Sequence, residues 1–127
     1  MTMPDPRHKT LSLATYRRNG QEVRTPVWYI VTEDGFWVMT FSASWKARRL
    51  RKNQQVRYAS CDPSGKKILG DWAAGTAQLV DDPKRLEWMT GELKRKYSWQ
   101  YFLIVQIIYP LLGRRGEKVA IHVLPDS

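Results

Sequence analysis

Apolar and polar positions alternate along most of this chain, and a period of two predicts a protein built mainly from β-strands. Tight-turn sequences at Asn19–Gly20 and Glu33–Gly35 join the first three strands into an antiparallel meander. Because Pro26 has no N–H to donate, it places the second strand at a sheet edge or a bulge. In chain order, the predicted strands are Leu11–Tyr16, Glu22–Thr32, Phe36–Phe41, Gln55–Cys61, one or two strands within Ile68–Val80, and Val119–Leu124.

Two segments follow a helical period instead. A short basic helix is predicted within Thr40–Asn53, with Ala47 and Leu50 directed towards the sheet. A longer helix begins at Asp82–Pro83, an N-cap followed by a proline in the first helical position, and continues to about Tyr97. Its apolar stripe is expected to face the core and consists of Leu86, Met89, Leu93 and Tyr97.

The longest apolar run, Trp99–Leu112, predicts a further helix that ends at Pro110 and is too short to span a bilayer. Together the elements predict a mainly β fold, a small barrel of about six antiparallel strands with a few helices. An open sheet is disfavoured because the sequence does little to protect its edges. The length of 127 residues fits a single domain, with an ordered core at about 9–124 and an N-terminal extension at 1–8.

The charge balance is strongly basic, with 21 Lys and Arg against 12 Asp and Glu, a net charge of +9. This excess is spread along the chain and favours an anionic partner: nucleic acid, an anionic membrane or a polyanionic cofactor or substrate. No nucleic-acid-binding motif is visible, so nucleic acid is not expected. The single cysteine, Cys61, excludes an internal disulfide and is interpreted as a buried, inert thiol. With a polar N-terminus that lacks a signal peptide, the prediction is a cytoplasmic protein.

The sequence offers little catalytic chemistry of its own. Its two histidines, His8 and His122, lie far apart and belong to no cluster with metal-ligand spacing, so no metal is expected. No nucleophile-elbow pattern surrounds a serine, and neither a Walker loop nor a GxGxxG is present. An enzyme with this sequence would therefore depend on a bound cofactor.

The basic helix is the candidate anion site. Lys46 and Arg49 are three residues apart and share a helix face. Hydroxyl groups precede them at Thr40, Ser42 and Ser44. These groups, with the free N–H groups of a helix start, predict a phosphate site at the mouth of the helix.

An apolar wall for a flat ring is expected beside that phosphate. The strand Arg24–Tyr29 is predicted to pair with Phe36–Phe41, and the two together would form the wall. The other cations of the basic helix are interpreted as solvated surface: Arg48, Arg51 and Lys52.

A series of short motifs adds a family resemblance. The motifs are Val23–Trp28, Val38–Thr40, Ser44–Leu50 with Asn53, Gly65–Lys66, Leu69–Ala73, Lys96–Tyr97 and Gly113–Gly116. Their order and spacing, over residues 9–124, resemble the flavin/deazaflavin split-barrel superfamily typified by pyridoxamine 5′-phosphate oxidase. Within it, the compact chain is most similar to the branch of enzymes that depend on the deazaflavin coenzyme F420.

The resemblance implies a homodimeric split β-barrel with two cofactor sites in grooves at the subunit interface. It also implies an oxidoreductase that binds coenzyme F420 (8-hydroxy-5-deazaflavin) and transfers a hydride from the reduced cofactor to a small organic acceptor. It assigns no catalytic residue. The cofactor-binding residues that it carries over are Arg24, Thr25, Pro26, Val27, Trp28, Tyr29, Met39, Thr40, Ser44, Lys46 and Arg49.

Two departures from the family pattern keep alternatives open. Pyridoxamine phosphate oxidases carry a basic pair where this chain has Trp45–Lys46 and a lysine where it has Tyr29, which weakens the case for flavin mononucleotide (FMN). An FMN-binding oxidoreductase of the same fold is the first alternative, and a non-catalytic cofactor-, haem- or lipid-binding protein is the second. The second departure is the apolar Trp99–Leu112, for which dimer interface, core and, less expected, membrane contact stay open.

Overall fold

The structure, a computed structural model, describes residues 3–104 and 117–126. In these residues it has seven strands and three helices. The strands are β1 (Leu11–Tyr16), β2 (Glu22–Val27), β3 (Ile30–Val31), β4 (Phe36–Phe41), β5 (Gln55–Ser60), β6 (Ala73–Val80) and β7 (Lys118–Pro125). The helices are α1 (Trp45–Lys52), α2 (Pro83–Tyr97) and α3 (Trp99–Leu103).

The strands form one antiparallel sheet in the order β2-β1-β5-β6-β7-β4-β3. The two strands at its ends, β2 and β3, are connected in the chain by Trp28 and Tyr29 alone. The sheet therefore curls back on itself into a half-barrel. The prediction of a mainly β barrel is confirmed, with seven strands where about six were expected.

The predicted second strand, Glu22–Thr32, is divided into β2 and β3. The predicted pairing of Arg24–Tyr29 with Phe36–Phe41 is wrong, because β2 pairs with β1 and only the two-residue β3 pairs with β4. The prediction for Pro26 is confirmed, since β2 is a terminal strand of the sheet.

The division of the strand has its cause at Tyr29. Its N–H donates to the hydroxyl of Tyr97 at 2.9 Å, and its carbonyl accepts from Lys96 Nζ at 2.9 Å. Side chains of α2 thus satisfy the backbone groups that a neighbouring strand would otherwise pair with. The chain leaves one end of the sheet here and enters the other.

The inner face of the curled sheet holds the main core. The basic helix forms where it was predicted, and α1 packs against β1, β4 and β6. Ala47 and Leu50 are buried as predicted, and Leu50 joins the main core. Other residues of this core include Leu11, Leu13, Tyr29, Phe36, Val38, Val56, Ile121 and Val123.

A second core lies between α2 and the other face of the sheet. Asp82 caps α2, where its Oδ2 accepts from Arg85 N at 3.1 Å, and the helix spans Pro83–Tyr97 as predicted. The predicted apolar stripe faces the sheet: Met89, Leu93 and Tyr97 are buried and Leu86 is half-buried.

The predicted helix Trp99–Leu112 lies only partly within the described residues. α3 accounts for its first five residues and Ile104 follows it, whereas residues 105–112, Pro110 included, lie outside the described residues, as does the Gly113–Gly116 turn. Across residues 3–104 and 117–126, no helix has the length and apolar character needed to cross a membrane.

Candidate functional site

Two grooves meet at Lys46. The cationic groove has a volume of about 1300 Å³ and is lined by Tyr16, Arg17, Arg18, Val23, Thr25, Ser44, Trp45, Lys46, Arg48, Arg49, Arg51, Lys52 and Asn53. The apolar groove has a volume of about 390 Å³ and is lined by Pro26, Val27, Trp28, Met39, Thr40, Phe41, Lys46, Thr90, Leu93, Tyr101, Ile104 and Lys118. Lys46 is the residue common to both.

The cationic groove lies between β2 and α1. Val23 and Thr25 stand opposite Thr15 and Leu13 in the β1–β2 ladder, so they share the inner face of the sheet with these buried residues. Seven of the lining side chains are Lys or Arg, and no Asp or Glu is among the described residues that line it. Such an arrangement concentrates positive potential in the groove and attracts an anion.

Ser44 begins α1 and leaves one donor for a ligand. Its Oγ accepts from Ala47 N at 3.1 Å, as an N-cap does, and from the Thr40 hydroxyl at 2.9 Å. Because both bonds use the oxygen as acceptor, the Ser44 O–H itself remains available to donate. It stands at a helix N-terminus, where an anion is also favoured by the helix dipole.

Arg49 is oriented by a buried hydroxyl. Its Nε donates to Thr15 Oγ1 at 2.7 Å, and Thr15 is fully buried on β1. Neither Lys46 nor Arg49 has a carboxylate partner among the described residues. Burial, and after it the charge of Arg17, lowers the pKa of Arg49. Arg49 lines the cationic groove.

The surroundings of Lys46 disfavour the charged form of its amine. Burial lowers the pKa of its amine, and the nearby Arg49 guanidinium lowers it further. An anion bound beside Lys46 and Arg49 would reverse both effects, since it would compensate the desolvated charge and separate the two like charges.

Thr25 carries an orphaned polar atom. Its Oγ1 is buried and has no hydrogen-bond partner among the described residues, although Thr25 lines the cationic groove. A buried hydroxyl without a partner costs about 1–3 kcal/mol. A ligand that bonds this hydroxyl would recover that cost.

The apolar groove is walled by Trp28. Its indole stacks on the ring of Tyr97, with centroids 4.1 Å apart and planes 10° apart. Met39 and Val27 face the same space, and Thr40 brings the hydroxyl network of Ser44 to its edge. The groove can take a flat apolar group whose polar substituent points to Lys46.

The structure brings nine of the eleven predicted cofactor-binding residues to the two grooves and places two elsewhere. Arg24 lies on the outer face of β2, where its Nε donates to Glu22 at 2.6 Å and its guanidinium lies 4.5 Å from the Trp72 ring. Tyr29 is fully buried, and its hydroxyl donates to the carbonyl of Asp5. The other nine are Thr25, Pro26, Val27, Trp28, Met39, Thr40, Ser44, Lys46 and Arg49.

Several lining residues were not predicted for the site. Arg17 and Arg18 reach the cationic groove from the β1–β2 hairpin. In the sequence they were visible only as a pair of charges before a turn. Arg48, Arg51 and Lys52 are exposed, as interpreted from the sequence, and all three also line the cationic groove.

Other candidate chemistry lies apart from the grooves. Cys61 is buried, as predicted, and burial raises the pKa of its thiol. Within the part of the chain that the structure describes, no group of three or more His, Cys, Asp or Glu is arranged to hold a metal ion.

The curled antiparallel sheet with α1 at one opening is a split barrel. The chain belongs to the pyridoxamine 5′-phosphate oxidase family, because the family model with that description matches residues 6–125. No curated protein sequence matches the chain.

Solved structures show the same fold. A conserved hypothetical protein from Mycobacterium tuberculosis is similar with a TM-score of 0.70 and 23% identity, over 94% of this chain and 74% of that one. A structure described as an F420 reductase is similar with a TM-score of 0.65 and 20% identity, over 96% and 90% of the two chains. The haem storage protein HutZ from Vibrio cholerae is similar with a TM-score of 0.68 and 16% identity, over 94% and 83%. At these identities the likeness establishes the fold and leaves function to the site.

Proposed function

We propose that this protein is an oxidoreductase that binds the deazaflavin coenzyme F420 and transfers a hydride from the reduced cofactor to a small organic acceptor. The observation that carries the proposal is the position of Lys46 where a cationic groove meets an apolar one. Its amine has no carboxylate partner among the described residues, and burial lowers its pKa. A cofactor with a flat ring at one end and a phosphate with an anionic tail at the other matches that pair of grooves. The similarity to an F420 reductase supports the same choice.

The phosphate end is assigned to the mouth of α1. The Ser44 O–H donates to a phosphate oxygen, while Lys46 and Arg49 supply the opposing charge. Further along the groove, the cations of α1 and of the β1–β2 hairpin attract the polyglutamate tail, which carries several carboxylates.

The ring end is assigned to the apolar groove. Trp28 is fixed by its stack on Tyr97 and presents a rigid aromatic wall, and Val27 and Met39 exclude water from the ring. The reduced deazaflavin supplies the hydride when it is bound. The protein's own part is to hold the ring in one orientation and to keep the reacting carbon dry.

The residues present fit this cofactor on an observation independent of charge. Thr25 Oγ1 is a buried hydroxyl without a partner among the described residues, at the edge of the cationic groove. An oxygen of the cofactor would satisfy it. A homodimer, in which a second copy covers the open side of each groove, belongs to the same proposal and is supported by the family.

FMN is the alternative, because its phosphate and ring would use the same two grooves. The tail distinguishes the two cofactors: only the deazaflavin carries the carboxylates that the outer cations of the cationic groove, such as Arg17 and Arg48, would bind. The proposal therefore predicts that the deazaflavin binds more tightly than FMN and that its binding is more sensitive to salt.

The test is a fluorescence titration of purified protein against the oxidised deazaflavin, with FMN in a parallel series. We expect quenching of the deazaflavin at micromolar protein and weaker quenching of FMN. A deazaflavin shortened to a single glutamate should bind more weakly than one with a long tail, and added salt should remove that difference.

Two results would overturn the proposal. One is quenching of FMN without quenching of the deazaflavin, which would make the protein a flavoprotein of the same fold. The other is the absence of quenching of both, in a protein shown to be folded by far-ultraviolet circular dichroism. Oxidation of the bound, reduced deazaflavin in the presence of candidate acceptors then tests the hydride transfer.

A further inference from the structure

Lys118 lines the apolar groove, and the proposed function leaves it without a role. It lies on β7 directly opposite Phe41 of β4, so its side chain stands on the same face of the sheet as Phe41 and Met39. Both of those residues also line the apolar groove, and Lys118 itself is half-buried. Lys118 therefore brings a second amine, besides that of Lys46, to a groove whose walls are mostly apolar.

The Lys118 amine has no partner among the described residues. It forms no ion pair and no side-chain hydrogen bond with them. No Asp or Glu is among the described residues that line the apolar groove. An amine that has lost part of its hydration and has no counter-charge favours the binding of an anion beside it.

Most other polar side chains of the apolar groove are already committed. The Thr40 hydroxyl donates to the cap of α1 and the Thr90 hydroxyl donates to a backbone carbonyl of α2, each at 2.9 Å. Lys46 lies at the junction with the cationic groove and is assigned to the cofactor phosphate. The side-chain donors that remain among the described lining residues are the Trp28 N–H, the Tyr101 hydroxyl and the Lys118 amine. Of these three, the amine alone carries a charge.

We propose that Lys118 makes the apolar groove selective for an acceptor that carries a carboxylate. The assignment rests on the proposed function, because the ring end of the cofactor is assigned to this groove and the acceptor must reach the ring there. One amine balances one negative charge, so a carboxylate fits this end of the groove. A phosphate dianion finds its several donors in the cationic groove instead. The rest of the acceptor is then flat and apolar, as the walls require.

The experiment is a calorimetric titration of the protein, both free and saturated with the oxidised deazaflavin, with two probes of the same shape. Cinnamate carries a carboxylate, and cinnamamide carries a neutral amide in its place. We expect cinnamate to bind the saturated protein at least about tenfold more tightly, the value of a charged hydrogen bond. Lys118→Met keeps the aliphatic stem and removes the charge, so it should reduce this preference to less than about twofold, whereas Lys118→Arg should retain it.

Lys84→Met is the matched control, because Lys84 is exposed on α2 and its replacement changes the net charge by the same amount. It should keep the preference for cinnamate, and far-ultraviolet circular dichroism should show every variant folded. The proposal is overturned if cinnamate binds the saturated protein no more tightly than cinnamamide, or if Lys118→Met keeps the preference. It is also overturned if Lys118→Met weakens deazaflavin binding more than Lys84→Met does, which would assign Lys118 to the cofactor.

Failure of the proposed function gives a different result. The protein would then not bind the deazaflavin, yet the free protein would still prefer cinnamate and lose that preference in Lys118→Met but not in Lys84→Met. That outcome would support Lys118 as the carboxylate site and would overturn the proposed cofactor alone.

Discussion

The two longer helices, α1 and α2, begin alike but have different roles. Both start at a side-chain cap, Ser44 in α1 and Asp82 in α2, and both end in a basic turn. α2 buries Met89, Leu93 and Tyr97 against the sheet, and its Arg95 is paired with a carboxylate. None of the five cations of α1 has a carboxylate partner among the described residues, and all five line the cationic groove.

Under the proposed function, this difference marks where stability is given up for binding. A half-buried cation without a partner opposes folding, because it loses water and gains no counter-charge. α1 accepts that cost at Lys46, and the chain accepts a second cost nearby at the orphaned hydroxyl of Thr25. On this account α2 holds the fold and α1 holds a ligand.

The largest effect is expected where α2 is weakened. Met89→Ala should lower the free energy of unfolding by about 2–5 kcal/mol, because it opens a cavity at a fully buried position. Lys84→Ala, at an exposed position of the same helix, should change it by less than about 0.5 kcal/mol. Urea denaturation measures both. A loss below about 1 kcal/mol for Met89→Ala would contradict the role given to α2.

The two caps separate stability from binding. Ser44→Ala and Asp82→Ala should each lower the free energy of unfolding by about 1 kcal/mol, since each frees one helical N–H. Only Ser44→Ala should also weaken deazaflavin binding, by roughly tenfold, because it removes a donor to a charged group. Urea denaturation and fluorescence titration of both variants make the comparison. Equal affinities would remove Ser44 from the site.

Thr25→Val should have opposite effects on stability and on cofactor binding. It replaces a buried hydroxyl that has no partner among the described residues with a methyl group of the same shape, so stability should rise by up to about 1 kcal/mol. Cofactor affinity should fall in the same variant, because the ligand loses its partner. Thermal unfolding with and without the deazaflavin reports both changes. A clear loss of stability in the free protein would show that the hydroxyl has a partner.

A pH-dependent effect is expected at Lys96 on α2. Burial, and then the charge of Lys9, lowers the pKa of Lys96 from 10.5 to about 8. The unfolded chain therefore binds more protons than the folded chain between about pH 8 and 10.5, and Lys96 favours the folded state increasingly as pH rises through that window. The difference in unfolding free energy between the wild type and Lys96→Met should rise across this range and be flat below it. A difference that falls with pH would contradict the burial of this amine.

How far the sequence predicted the structure depended on where the cause lay along the chain. α2 was predicted closely because its cap, Pro83 and its apolar stripe all lie within the helix itself. The break between β2 and β3 was not, because the groups that bond the Tyr29 backbone come from Lys96 and Tyr97, 67 and 68 positions later. Local alternation cannot report a partner so distant.

The candidate site was likewise predictable only where the cause lay within one element. The 3.6-residue period showed that Ala47 and Leu50 face the core, and therefore that Lys46 and Arg49 do not. It did not show what stands opposite them. The hairpin residues Arg17 and Arg18, the orphaned hydroxyl of Thr25 and the outward position of Arg24 all follow from the curl of the sheet and from the strand register.

The most direct test of the central claim is the dissociation constant of the deazaflavin for Lys46→Ala against that for Lys84→Ala. Each variant removes one lysine from a helix, so the net charge is the same in both. We expect Lys46→Ala to weaken binding by about tenfold to a hundredfold, the value of a charged hydrogen bond, and Lys84→Ala to leave it unchanged. Equal dissociation constants for the two variants would contradict the account, because Lys46 would then be one surface charge among many.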